Sequence, residues 1–98
     1  MTGAQQLWRR EFEVDGPTGP EVFSASYNIL TARAYLEHVA AVEAAEDADD
    51  DERHIEAVLG ALGVMCDLSD REGMIEPADL PLQLIGEVYA AHPAFKSL

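Results

Sequence analysis

Apolar and polar residues alternate from Trp8 to Val14. Trp8, Phe12 and Val14 share one parity and Arg9, Glu11 and Glu13 the other, the period-two signature of a half-buried strand. Phe23, Ala25, Tyr27 and Ile29 repeat the alternation, and Asp15-Gly16-Pro17-Thr18-Gly19-Pro20 between the two runs supplies the backbone freedom and fixed φ of a turn. The pattern predicts a β-hairpin over residues 8–29. A lone hairpin is marginal in water, so its apolar face needs helices, or a strand that a neighbouring subunit can supply.

The period then changes to that of helices. Thr31 is a suitable N-cap for a helix over about 32–45, with Tyr35, Leu36, Val39, Ala40 and Val42 as its core-facing stripe. Glu46-Asp47-Ala48-Asp49-Asp50-Asp51-Glu52 stops it, because adjacent like charges oppose continuation and Asp side chains compete for backbone donors. A second helix is predicted from Asp50 or Asp51 to about Met65, its stripe Ile55, Val58, Leu59 and Leu62. Acidic residues at its start suit the helix dipole. Gly60 and Gly63 each lower its propensity by roughly 1 kcal/mol relative to Ala, and close approach of another helix would account for them. A turn at Asp70-Arg71-Glu72-Gly73 and an extended link at Met74-Ile75 lead to a third helix opened by Pro77. Its buried face is Leu80, Leu84, Ile85 and Val88, and His92-Pro93 ends it.

The expectation is an α+β fold: an N-terminal β-hairpin followed by three short α-helices packed as a small bundle. Residues 1–98 form one domain, since a chain of this length is too short to split. The helical part spans 32–92, with residues 1–6 and 94–98 flexible.

Charge narrows the possible roles. Six basic against 19 acidic residues give a net charge of −13, which repels phosphate backbones and anionic membranes and favours basic protein surfaces. Direct nucleic-acid binding and membrane association are therefore not expected. The first residues lack a signal-peptide pattern, and no apolar run approaches the roughly 18 residues of a membrane span, so a cytoplasmic location is expected. Cys66 is the only cysteine, which excludes an intrachain disulfide; it closes an apolar helical pattern and reads as a core residue.

Two acidic segments invite a calcium-loop reading. The one starting at Asp47 places Glu52 where the loop needs Gly, and the one with Gly73 at that position begins at Leu68. A solvated hinge and an ordinary turn are the better readings. No metal, cofactor or catalytic constellation is expected: His38, His54 and His92 form no motif with Cys66, and no phosphate-binding glycine loop or nucleophile elbow occurs. Arg33 reads as a surface ion-pair residue, and Trp8 and Tyr27 as hairpin core. Phe95, beyond Pro93, reads as an exposed apolar contact. Leu84, Val88, Tyr89 and Phe95 are the candidate partner-binding residues, because the C-terminal segment is the least enclosed by sequence neighbours.

The order of parts carries a resemblance. A strand leading into Tyr27-Asn28-Ile29-Leu30-Thr31-Ala32-Arg33, the helix after it, Val64-Met65-Cys66, the turn Asp70-Arg71-Glu72-Gly73 and Ala78-Asp79-Leu80 resemble the layout of tail assembly chaperones of long-tailed bacteriophages. The likeness covers roughly residues 12–89 and departs at Ala34, where an acidic residue is common. It implies a non-enzymatic factor, in the host cytoplasm, that coats the tape measure protein, keeps it soluble and helps recruit tail tube protein. The chain would be similar to the short form of a pair whose longer form arises by frameshift. Two alternatives come from the residues themselves: an acidic DNA mimic occupying a basic nuclease or repressor, motivated by eight acids between Glu43 and Glu56, and a generic phage assembly adaptor.

Overall fold

A computed structural model describes residues 6–97. The chain runs β1 (Gln6–Gly16), β2 (Gly19–Asn28), α1 (Ala32–Asp47), α2 (Asp51–Met65), β3 (Cys66–Asp70), β4 (Gly73–Ile75), a 3-10 turn (Pro77–Asp79), α3 (Leu82–Ala90) and the short α4 (Ala94–Ser97). The class is α+β, but the sheet has four antiparallel strands in the order β1-β2-β3-β4. The expected hairpin is therefore only half of the sheet. The segment 66–75, expected to be a helix end, a turn and a link, supplies the other half, and the region 32–92 is not wholly helical.

The registers explain why the sheet is one-sided. Trp8 lies opposite Tyr27 and Phe12 opposite Phe23; Ala25 faces Leu68, Tyr27 faces Cys66, and Leu68 faces Ile75. Because side chains alternate across a strand, all of these share one face, and Phe12, Phe23, Ala25, Tyr27, Cys66 and Leu68 are buried there. The other face carries Arg9, Glu11, Glu13, Ser24, Ser26, Asp67, Ser69 and Met74. Helix α2 packs on β2 and β3, α3 packs on β1, and α1 packs against α2. A shortest dimension of 20 Å is that of one sheet layer and one helix layer.

Local chemistry sets the helix ends. Thr31 Oγ1 accepts from Ala34 N–H at 3.1 Å, the cap expected for α1, and Asp50 Oδ1 accepts from Arg53 N–H at 3.2 Å, a cap where α2 was expected to begin. Helix α1 runs into the acidic run as far as Asp47, and Asp49 takes a left-handed φ of 56° to reverse the chain. Its inward stripe differs from expectation. Val42 and Ala45 are buried and Tyr35 and Val39 half-buried, whereas Leu36 is 66 % exposed and Ala40 faces solvent. In α2, Val58 and Leu62 are buried as expected, joined by Ala61 and Met65. Gly60 and Gly63 are exposed, and a Cβ added at either would meet nothing within 4 Å. No helix approaches them, so they are not packing glycines.

Pro77 opens a 3-10 turn rather than α3, which starts only after Pro81. The interval between the two prolines is closed locally, with the Asp79 carboxylate accepting from Glu76 N–H at 3.1 Å. The turn at Asp70 is a β3–β4 connection. Asp70 Oδ1 accepts from Glu72 N–H at 2.8 Å and Gly73 N–H at 3.1 Å, while Gly73 adopts a φ of 139° that residues with a Cβ rarely take. Residues 94–97, expected to be flexible, form α4; residues 1–5 and 98 lie outside the described residues.

Candidate functional site

The four residues expected to form a partner surface separate into two environments. Leu84 is 2 % exposed and Val88 is 0 % exposed; both belong to the main core with Leu62, Met65 and Phe12. They hold α3 to the sheet, and a partner reaches them only if the fold opens. Tyr89 and Phe95 are half-buried and pack in a tilted pair with ring centroids 5.0 Å apart, and Phe95 also meets Tyr35 of α1 at 6.1 Å. Phe95 is thus an anchor of α4 against α1 and α3 rather than a free apolar tail. Burial raises the Tyr89 hydroxyl pKa first, with Tyr35 and Glu43 adding to the shift.

Behind this cluster lies a polar junction absent from the sequence expectations. The Tyr27 hydroxyl donates to the Val88 carbonyl at 2.6 Å. That carbonyl lies in the last turn of α3, where intrahelical donors run out, so the hydroxyl caps the helix from the sheet. His92 is 0 % exposed, its ring edge-on to Tyr27 at 5.5 Å. Its Nδ1 accepts from Ala94 N–H at 3.0 Å, which places the ring proton on Nε2, where it donates to the Asn28 carbonyl at 2.8 Å. The imidazole therefore joins the end of β2 to the start of α4. The sequence signal for it, a lone His between an apolar helix and Pro93, is indistinguishable from that of a surface helix end.

Cys66 is buried, and its thiol donates to the Leu62 carbonyl at 3.5 Å. Burial, with a contribution from Asp67, pushes the thiol pKa up to about 12, the environment of a structural and not a nucleophilic cysteine. Burial likewise raises the Tyr27 hydroxyl, Cys66 adding to the shift and Arg10 opposing it. Among the described residues, no group of three or more His, Cys, Asp or Glu is placed to hold a metal ion. No described helix is long and apolar enough to cross a membrane.

Three accessible surface features stand out among the described residues. The outer side of α1 exposes Ala32, Leu36, Ala40 and Ala44 at four-residue spacing, an apolar stripe that no other element covers. At the far end of that helix, Glu43, Glu46, Asp47, Asp49, Asp50, Asp51, Glu52 and Glu56 are all exposed around the α1–α2 turn. A shallow cleft between the β1–β2 and β3–β4 turns, lined by Thr18, Glu21, Asp70, Arg71 and Glu72 among others, is polar and open. No family model, curated protein or solved structure matches the chain.

Proposed function

We propose that the protein is a non-enzymatic tail assembly chaperone that holds apolar helices of a tape measure protein in solution and presents them to tail tube subunits. The observation that carries this reading is the solvent-facing stripe Ala32-Leu36-Ala40-Ala44 beside the acidic hinge. An apolar helix of a client lays its face along such a stripe, and the charge of −13 opposes aggregation of the complex. The layout from Tyr27 to Arg33 and from Asp70 to Gly73, similar to that of these chaperones, supports the same role. Tyr89 and Phe95 pack with Tyr35 against the inward side of α1 and steady that helix, and Leu84 and Val88 act beneath as core.

Co-expression with a tape measure protein from the same genome tests the proposal. The wild-type chain is expected to raise the client's soluble yield and co-purify with it. Leu36→Asp is expected to weaken capture at least tenfold with an unchanged circular dichroism spectrum, since losing an apolar anchor costs about 2 kcal/mol or more. Undiminished capture by this variant would exclude the α1 surface.

The exposed acids around Asp49 favour one second reading, a decoy for a basic nuclease or repressor. Replacing Asp49, Asp50 and Asp51 with Asn would abolish that binding and leave client capture intact, so the two functions separate in one set of variants.

A further inference from the structure

We infer that the outer edge of β1 joins two copies of this chain into a dimer with one continuous eight-stranded sheet. Strand β1 ends the strand order, and among the described residues no strand lies beyond it. Edges are normally kept short or broken by proline, since a row of unpaired N–H and C=O groups recruits another strand. The β4 edge follows that rule with 3 residues, whereas β1 offers 11 residues without a proline, and its one register irregularity, between Gln6 and Trp8, lies near its start and leaves the run from Trp8 onward regular.

Hairpin geometry identifies the groups that face outward. The two-residue turn at Pro17-Thr18 makes Gly16 and Gly19 a hydrogen-bonded pair, and bonding alternates from there. Val14, Phe12 and Arg10 therefore bond to β2, while Glu13, Glu11 and Arg9 direct their backbone groups to the open edge. An antiparallel mate related by a two-fold axis through Glu11 takes up the regular part of the strand, with Trp8 opposite Val14 of the second copy, inside the register irregularity between Gln6 and Trp8. In that register Arg9 lies opposite Glu13 of the second copy, twice by symmetry. On the helix side Arg10 lies opposite Phe12 of the second copy; within one chain Arg10 already sits 5.5 Å from the Phe12 ring centroid. Glu11 meets its own equivalent, and Arg9, 3.9 Å from Glu11 in the same chain, offsets that repulsion.

Charge selects the occupant. A chain carrying −13 resists self-association almost anywhere, but residues 9–13 hold two arginines and two glutamates, 2 − 2 = 0. The eight acids of the hinge belong to the α1–α2 turn and lie outside this strip. Alternating signs that match themselves under a two-fold axis fit a second copy.

Sedimentation of the full chain from micromolar to millimolar concentration tests the inference. The wild type is expected to reach twice its 10.7 kDa mass. Glu11→Pro removes an outward donor and spares the β1–β2 ladder, so it is expected to give a folded monomer. Arg9→Glu is expected to weaken the dimer about tenfold or more by placing glutamates opposite one another. Adding Glu13→Arg to Arg9→Glu restores the opposite-sign pairs and is expected to restore the dimer, a rescue that holds the test even if the proline variant unfolds. A wild-type chain that stays monomeric, leaving the edge to an extended strand of another protein, overturns the inference. So does a dimer indifferent to Arg9→Glu, or a charge swap that fails to rescue.

Discussion

Cys66 and Tyr27 face each other across β2 and β3, and both are held in their neutral forms by burial. The thiol moves from 9.0 to about 12, and the phenol of Tyr27 is raised above its ordinary 10.0. In both cases the folded pKa is the higher one, so the stabilising contribution is complete below the unfolded value and lost as pH rises through the folded one. Stability is therefore expected to be level up to about pH 9 and to fall steeply towards pH 12, read by circular dichroism at increasing pH. A thiol reagent at pH 8 should label Cys66 only at the rate of unfolding. Labelling at the rate of a free thiol would show that the β2–β3 contact opens independently of the rest. Val88 illustrates the same dependence on neighbours, since its side chain is core while its carbonyl needs the Tyr27 hydroxyl.

Three consecutive aspartates show how one residue type plays opposed parts within an element. Asp49 occupies a left-handed conformation in which a Cβ is strained, Asp50 caps α2, and Asp51 sits in its first turn where the dipole favours an acid. Asp50→Ala is expected to cost about 1 kcal/mol through the lost cap. Asp49→Gly is expected to be neutral or to stabilise by up to about 1 kcal/mol, because it relieves the backbone and removes a charge. Urea unfolding of the two variants reads both, and a similar loss in each would mean that side-chain charge, not backbone geometry, governs the hinge. The elements with such local signals were legible in the sequence: the Gly/Pro turn, the cap of α1, the acidic start of α2, and the Asp70–Gly73 turn. β3 was not. Cys66 and Leu68 continue the apolar spacing of α2 without a breaker, and only pairing with β2 makes Cys66-Asp67-Leu68-Ser69-Asp70 extended.

For the whole molecule, 19 acids against six bases set a repulsion that folding must overcome. The ion pair between Arg9 and Glu11 is exposed and offsets little of it. Raising monovalent salt from about 0.01 M to 0.15 M shortens the Debye length from about 30 Å to about 8 Å. The thermal midpoint is therefore expected to rise with salt over that range, as followed by circular dichroism; a flat response would show that the hinge acids are too well solvated to repel. Against that imbalance, residues 9–13 of β1 and the apolar stripe on α1 stand out as stretches with no net charge. The stripe was not legible beforehand, because the expected core face of α1 included Leu36; the alternating charges of β1 were legible, and the structure adds that β1 ends the strand order.

What the sequence determined by itself is what depends on neighbours within a few residues and on totals: where turns and caps fall, which strands alternate, the α+β class and the net charge. These follow from backbone sterics, side-chain competition for nearby donors, and counting. Only the tertiary structure decided the rest, since each part of it depends on groups far apart in the chain. The β2–β3 pairing converts a helix end into a strand, and α2 buries one side of α1 and leaves Leu36 in water. The end of β2 receives the His92 imidazole, and so turns a tail expected to be free into α4. Burial is a property of the partner surface as much as of the residue. Period alone identifies a stripe, and the packed partner decides which side of it is core.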